Sequence, residues 1–139
     1  MPSHTVHTFM DRVFFGKSYW RLHDFIDSAY FVVGRWHRKY YHDFYSAITI
    51  GKNLYPNDSQ ASDAAVLHIL LDDVCSYYPD LKKLLEKKAK EYYRNIRRTK
   101  RENRYKKKIK VPYELEVLVC DLKKSLEARR WHDRFYGIR

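Results

Sequence analysis

Six of the chain's seven histidines lie within its first 68 residues, each with another metal-capable side chain three to five positions away. His4 precedes His7, His23 precedes Asp27, His37 precedes His42 and Asp43, and His68 precedes Asp72. Residues three or four apart on a helix are surface neighbours, so each pair can present two donors in one direction. Imidazole mixed with carboxylate suits zinc, manganese, iron or nickel. Two or three imidazoles with one or two carboxylates, and a position left open for water, is an arrangement that generates hydroxide at neutral pH. The pattern nominates His23, Asp27, His37, His42, Asp43 and His68 as ligands of a divalent metal ion, with His4 and His7 at the margin of the set. Asp27 and Asp72 can act either as ligands or as acceptors that fix imidazole tautomers. Asp43 and Asp72 are also the candidate catalytic carboxylates, and Arg35 and Arg38, flanking His37, can clamp a phosphate. Isolated His–Asp pairs arise by chance at helix caps and surfaces. The concentration is what separates this set from chance, because the chain beyond residue 68 holds only His132.

A second chemistry lies further along. The net charge of +11 is confined to residues 81–110, where 15 Lys or Arg stand against Glu86, Glu91 and Glu102, so the rest of the chain is close to neutral. Lys90, Tyr93, Arg94, Arg97, Arg98, Arg101, Arg104, Lys106, Lys107 and Lys108 interleave cations with tyrosine, which suits phosphate contacts and counterion release better than base-specific readout. A solvated helix or a membrane-surface helix would also be basic, but an interfacial helix needs an apolar face, and residues 97–110 lack one. The composition therefore favours a nucleic-acid partner, DNA or RNA, and no membrane.

These side chains need helices to hold them. With 4 Gly, 4 Pro and almost no alternating apolar pattern, the 139 residues predict one all-α domain, a multi-helix bundle. Ser3 caps a first helix ending at Gly16. Ser18 caps a second, reaching Gly34 with a stripe of Leu22, Phe25, Ile26, Ala29 and Val33. A short third helix is expected over Trp36–His42, and Asp43 caps a fourth running towards Pro56. The stretch PNDSQASD reads as a turn. A fifth helix, apolar nearly all round and so central, carries His68 and Asp72 before Pro79 stops it. Asp80 caps a long sixth helix whose apolar stripe fades beyond Ile96, and Pro112 separates it from a last helix with a seam of Leu115, Leu118, Val119, Leu122 and Leu126. The organisation is a His/Asp-rich core (1–79), a long basic helix (80–110) and a C-terminal helix (111–139) packing on the core or, through 113–130, on a second copy.

Cys75 and Cys120 form no CxxC pair and neither looks catalytic, which fits a reducing compartment. The first residues lack a basic region followed by a long apolar run, and no stretch approaches the roughly 18 apolar residues of a membrane span. A cytoplasmic protein, or one carried within a virion, is expected. One Gln, few Asn and abundant Lys, Arg and Glu match the bias of heat-adapted proteins.

The run from His4 through FFGKSYWRLHDFIDS, then GRWHRKYYHD, then AAVLHILLDD resembles a family of small uncharacterised His-rich helical proteins of archaea and phages. Their shared order is H, H, FGG or FGK, H, D, HR, H and a late H followed by acidic residues. The resemblance covers about residues 4 to 85 and implies a common site at His4, His7, His23, Asp27, His37, His42 and His68, without naming a reaction. The chain is also similar, more loosely, to the HD phosphohydrolases, all-helical enzymes marked by a His, a later His-Asp dipeptide and a further Asp. His23, His42-Asp43 and Asp72 follow that order at compressed spacing, which implies a metal-dependent phosphohydrolase or nuclease. The alternative is a non-catalytic nucleic-acid-binding protein, such as a nucleoprotein or a ribosome-associated factor, whose histidines pack or hold a structural ion.

Overall fold

The computed structural model describes residues 3–28, 32, 34, 40–98 and 109–138. Among them the chain is all-α: α1 (His4–Phe15), α2 (Trp20–Ile26), α3 (Phe44–Leu54), α4 (Gln60–Tyr77), α5 (Pro79–Arg98), a 3-10 turn (Tyr113–Leu115) and α6 (Glu116–Phe135). No described helix is long and apolar enough to cross a membrane.

The helix ends follow local chemistry. Ser3 caps α1 by accepting from Val6 N–H, and Gly16 closes it at φ 77°, a left-handed conformation that glycine adopts without a Cβ penalty. Asp43 caps α3 by accepting from Ser46 N–H at 2.8 Å. Several boundaries differ from those the sequence predicts. α2 begins at Trp20, not after Ser18, because Tyr19 N–H is drawn to the buried carboxylate of Asp11 at 2.9 Å. It also ends at Ile26, with Asp27 at its C-cap, while Ala29 and Val33 of the expected stripe lie outside the described residues. Of the expected third helix, only residues 40–42 are described, and they bend rather than coil. The turn before α4 is shorter than PNDSQASD, with Gln60 already helical, and α5 starts on Pro79, whose missing N–H costs nothing at a first helical position.

α4 is the axis of the bundle, with Ala61 through Ile69, Leu71, Asp72 and Cys75 all buried. It divides the apolar interior in two. Val66, Leu67 and Leu71 join Phe9, Met10, Val13, Leu85 and Ala89 on one side. Ala61, Ala64, Ala65 and Ile69 join Tyr19, Leu22, Ile26 and Ala47 on the other. α3 lies against α4 at backbone distance, since a Cβ on Gly51 would stand 2.9 Å from the Ala61 carbonyl oxygen. The C-terminal seam packs within the chain, because Leu115, Val119, Leu122 and Leu126 are buried in the first apolar cluster. That packing leaves those four side chains no free face for a second copy.

Candidate metal centre

His68 sits between the two apolar clusters, fully buried, with its ring flanked by polar groups from four other parts of the chain. Its Nε2 lies 3.2 Å from Asp27 Oδ1 and 3.3 Å from Asp72 Oδ2. His42 Nε2 lies 3.1 Å from each of the same two oxygens. Asp27, His42, His68 and Asp72 thus turn one donor atom each to a common point. Tetrahedral ligation at bonds of about 2.0–2.1 Å sets neighbouring donors about 3.3 Å apart, and the four His–Asp separations have that length. Two of the ligands come from α4, one from the C-cap of α2 and one from the bend before α3.

Backbone and outer partners aim both imidazoles. His42 Nδ1 donates to the Tyr40 carbonyl at 2.8 Å, which leaves Nε2 to face the carboxylates. Tyr41 supports the bend with a positive φ of 66°, a conformation costing roughly 1–2 kcal/mol for a residue with a Cβ. Behind His68 runs a buried relay. Asp11, an acceptor, takes a hydrogen bond from His23 Nε2 at 2.5 Å, and a neutral His23 then presents Nδ1 as acceptor to His68 Nδ1 at 2.8 Å. The proton assignments that follow leave His68 Nε2 directed at Asp27 and Asp72.

A nitrogen lone pair facing two carboxylate oxygens is repelled unless a cation stands between them. In the metal-free state protons take that place. Burial opposes charge on His42, yet Asp27, Asp72 and the Tyr40 carbonyl raise its pKa to about 9. Burial likewise opposes charge on His68, but the same two carboxylates raise it. In turn, despite burial, His4, His42 and His68 hold Asp27 well below the usual carboxylate range, and His42 and His68 do the same for Asp72. Two imidazolium rings and two carboxylates carry no net charge. One divalent ion with two neutral imidazoles and the same carboxylates carries none either, so metal can replace two protons without altering the buried charge.

His7 and His4 extend the cluster. The ring of His7 stacks on His68 at 3.9 Å, and burial followed by the neighbouring His68 charge lowers its pKa to about 3, keeping it neutral. Its Nε2 stands 3.2 Å from Asp72 Oδ1 without hydrogen-bond alignment, and neither ring nitrogen has a hydrogen-bond partner among the described residues. His4, 41% exposed, places Nε2 3.5 Å from Asp27 Oδ2 and Nδ1 2.8 Å from Asp24. The hydrogen bond to Asp27 is the main reason its pKa is raised.

Of the residues nominated from sequence, Asp27, His42, His68 and Asp72 form a tetrad of donors that could hold a metal ion. His23 stands one hydrogen bond behind them. Asp43 is not in that group, and its carboxylate is engaged in capping α3. Of the HD-like order, therefore, His42 and Asp72 enter the tetrad. Arg35, His37 and Arg38 lie outside the described residues, as do Arg101, Arg104, Lys106, Lys107 and Lys108. Arg97 and Arg98 fall in the last turn of α5, while Lys90, Tyr93 and Arg94 line a cavity beside His4. Sequence reasoning missed Asp11. The signal was present, since His7 and Asp11 repeat the four-residue step of His23–Asp27 and His68–Asp72.

Cys75 is buried, and burial followed by the charge of Asp72 pushes its thiol up to about 11, so it offers no reactive thiolate. No family model, curated protein or solved structure matches the chain.

Proposed function

We propose that this protein is a divalent-metal-dependent phosphohydrolase acting on nucleic acid, with the ion held by Asp27, His42, His68 and Asp72. The convergence of four donors, with each imidazole nitrogen 3.1–3.3 Å from both carboxylate oxygens and all four atoms within 4.8 Å of one another, carries the reading. Zinc, manganese, iron and nickel all accept such a nitrogen and oxygen set. A bound ion would supply Lewis acidity towards water and a phosphoryl oxygen. The chain itself does the rest. Asp11 and His23 hold His68 in one tautomer, the Tyr40 carbonyl does so for His42, and the cationic groups Arg12, Lys90 and Arg94 stand beside His4 to attract a phosphate. Incubation of the metal-loaded protein with labelled single-stranded and duplex oligonucleotides tests the proposal. Cleavage that stops with chelator and with His42→Ala is expected, and metal-loaded protein that breaks no phosphoester would refute hydrolysis.

One observation favours a second reading. The side chains of His42, Asp27, Asp72 and His68 are 6%, 7%, 2% and 0% exposed, a depth that suits an ion holding the bundle together. In that case the protein binds nucleic acid without cutting it, and chelation would lower the melting temperature while leaving the bound nucleic acid intact.

A further inference from the structure

A cavity of 660 Å³ opens next to the metal cluster, walled by α1, α5 and the start of α2. The walls are fixed to each other. Ser3 N–H and its hydroxyl each donate to a different Glu86 oxygen at 2.9 Å, and Tyr93 OH donates to Thr8 Oγ1 at 2.7 Å. Arg12, Lys90 and Arg94 line the cavity, and its one carboxylate, Asp24, is engaged by His4 Nδ1 at 2.8 Å. The lining is therefore positive. Trp20, 57% exposed, stands at the same opening and offers a wide aromatic face. His4 is shared, with one ring nitrogen towards Asp24 in the cavity wall and the other towards the tetrad's Asp27.

The volume lies within the range of roughly 300–1,000 Å³ that encloses a small ligand, enough for a nucleotide unit. Cations beside an exposed indole are the combination that binds unpaired nucleotides, since cations take the phosphate and an aromatic ring stacks on any base. A duplex keeps its base faces inside its own stack and has none to offer Trp20.

We infer that this cavity binds an unpaired nucleotide of a single-stranded nucleic acid, with its phosphate among Arg12, Lys90 and Arg94 and its base against Trp20. The inference rests on the nucleic-acid reading above and adds which form of the polymer is taken. Because the cavity's own cations supply the contacts, binding does not need the metal ion.

Fluorescence anisotropy of the full chain with end-labelled oligonucleotides of about eight nucleotides tests this, in EDTA and then in Mn²⁺. In EDTA, single strands of DNA or RNA should bind at least about tenfold tighter than the matching duplex. Trp20→Ala should weaken single-strand binding at least about fivefold, and Lys90→Ala combined with Arg94→Ala about tenfold with a shallower salt dependence. Lys124→Ala, which removes an exposed charge on α6, should leave it within about twofold. Trp20, Lys90 and Arg94 are all exposed, so these variants should keep the wild-type circular dichroism. Duplex binding as tight as single-strand binding, or no effect of Trp20→Ala, would overturn the inference. Strand binding in EDTA by a protein that takes up no metal would sustain this cavity and refute the metal reading. Metal uptake without strand binding would do the reverse.

Discussion

The Nδ1 atoms of His23 and His68 face each other at 2.8 Å, and a single proton lies between them. Asp11 decides which ring owns it. By accepting from His23 Nε2, the Asp11 carboxylate fixes a neutral His23 with Nδ1 as acceptor and His68 as donor, which leaves His68 Nε2 facing Asp27 and Asp72. Asp11→Asn should lower metal affinity about 10–100-fold while the helices persist, as measured by competitive metal titration. Unchanged affinity would show that the relay does not orient His68.

Asp43 adjoins His42 in sequence but serves the backbone. Asp43→Ala should cost about 1 kcal/mol of stability in urea unfolding, the worth of an N-cap, and leave metal stoichiometry unchanged. Loss of metal at wild-type stability would return Asp43 to the ligand set.

The pH response should reverse between the metal-free and loaded forms. His42, raised to about 9, stabilises the metal-free fold fully below its ordinary value of 6.5, and that contribution is lost as pH rises through about 9. Asp27 and Asp72, both depressed, stabilise above the ordinary carboxylate value of 3.8 and lose that contribution on acidification. His7, buried neutral with its pKa lowered to about 3, costs stability as pH falls below its ordinary 6.5, so metal-free protein should be most stable near pH 6.5 and lose stability on both sides. Metal displaces the protons of His42 and His68, so its stabilising effect should grow from pH 6 to 9, with protons released on binding near pH 7. Melting curves with and without metal, and calorimetry in buffers of different ionisation enthalpy, measure both. A metal-induced shift that shrinks with rising pH would contradict the ligand assignment.

Gly51 lets α3 lie on α4. A Cβ there would meet the Ala61 carbonyl oxygen at 2.9 Å and its carbon at 3.1 Å, and both are backbone atoms that cannot swing aside. Gly51→Ala should lose about 1 kcal/mol or more, overpacking outweighing the gain in helix propensity. Urea midpoints of the two proteins decide it, and a stabilised variant would refute the close approach.

Much of this arrangement was legible in the sequence because it is written in helical periodicity and caps. Ser3, Gly16 and Asp43 mark real helix ends, the nearly uniform apolarity of residues 61–75 does mark the central helix, and Leu115 to Leu126 does form a packed seam. Asp27, His42, His68 and Asp72 could be nominated individually, but their convergence depends on how three segments dock, which spacing within each does not encode. The same limit hid Asp11, whose role exists only once Tyr19 and His23 fold over it. It also hid the cavity, whose cations come from α1 and α5, some 80 residues apart. Asp43 was over-read because an N-cap and a ligand use the same carboxylate chemistry, and only the position of Ser46 N–H separates them.

Asp27, His42, His68 and Asp72 are proposed to hold a divalent ion. Elemental analysis of untagged protein, purified without chelator, tests it most directly. About one equivalent of a first-row transition metal is predicted, falling to background in His42→Ala with the helices retained. Less than about a tenth of an equivalent in the wild-type protein, with none taken up on adding Zn²⁺ or Mn²⁺, would contradict it.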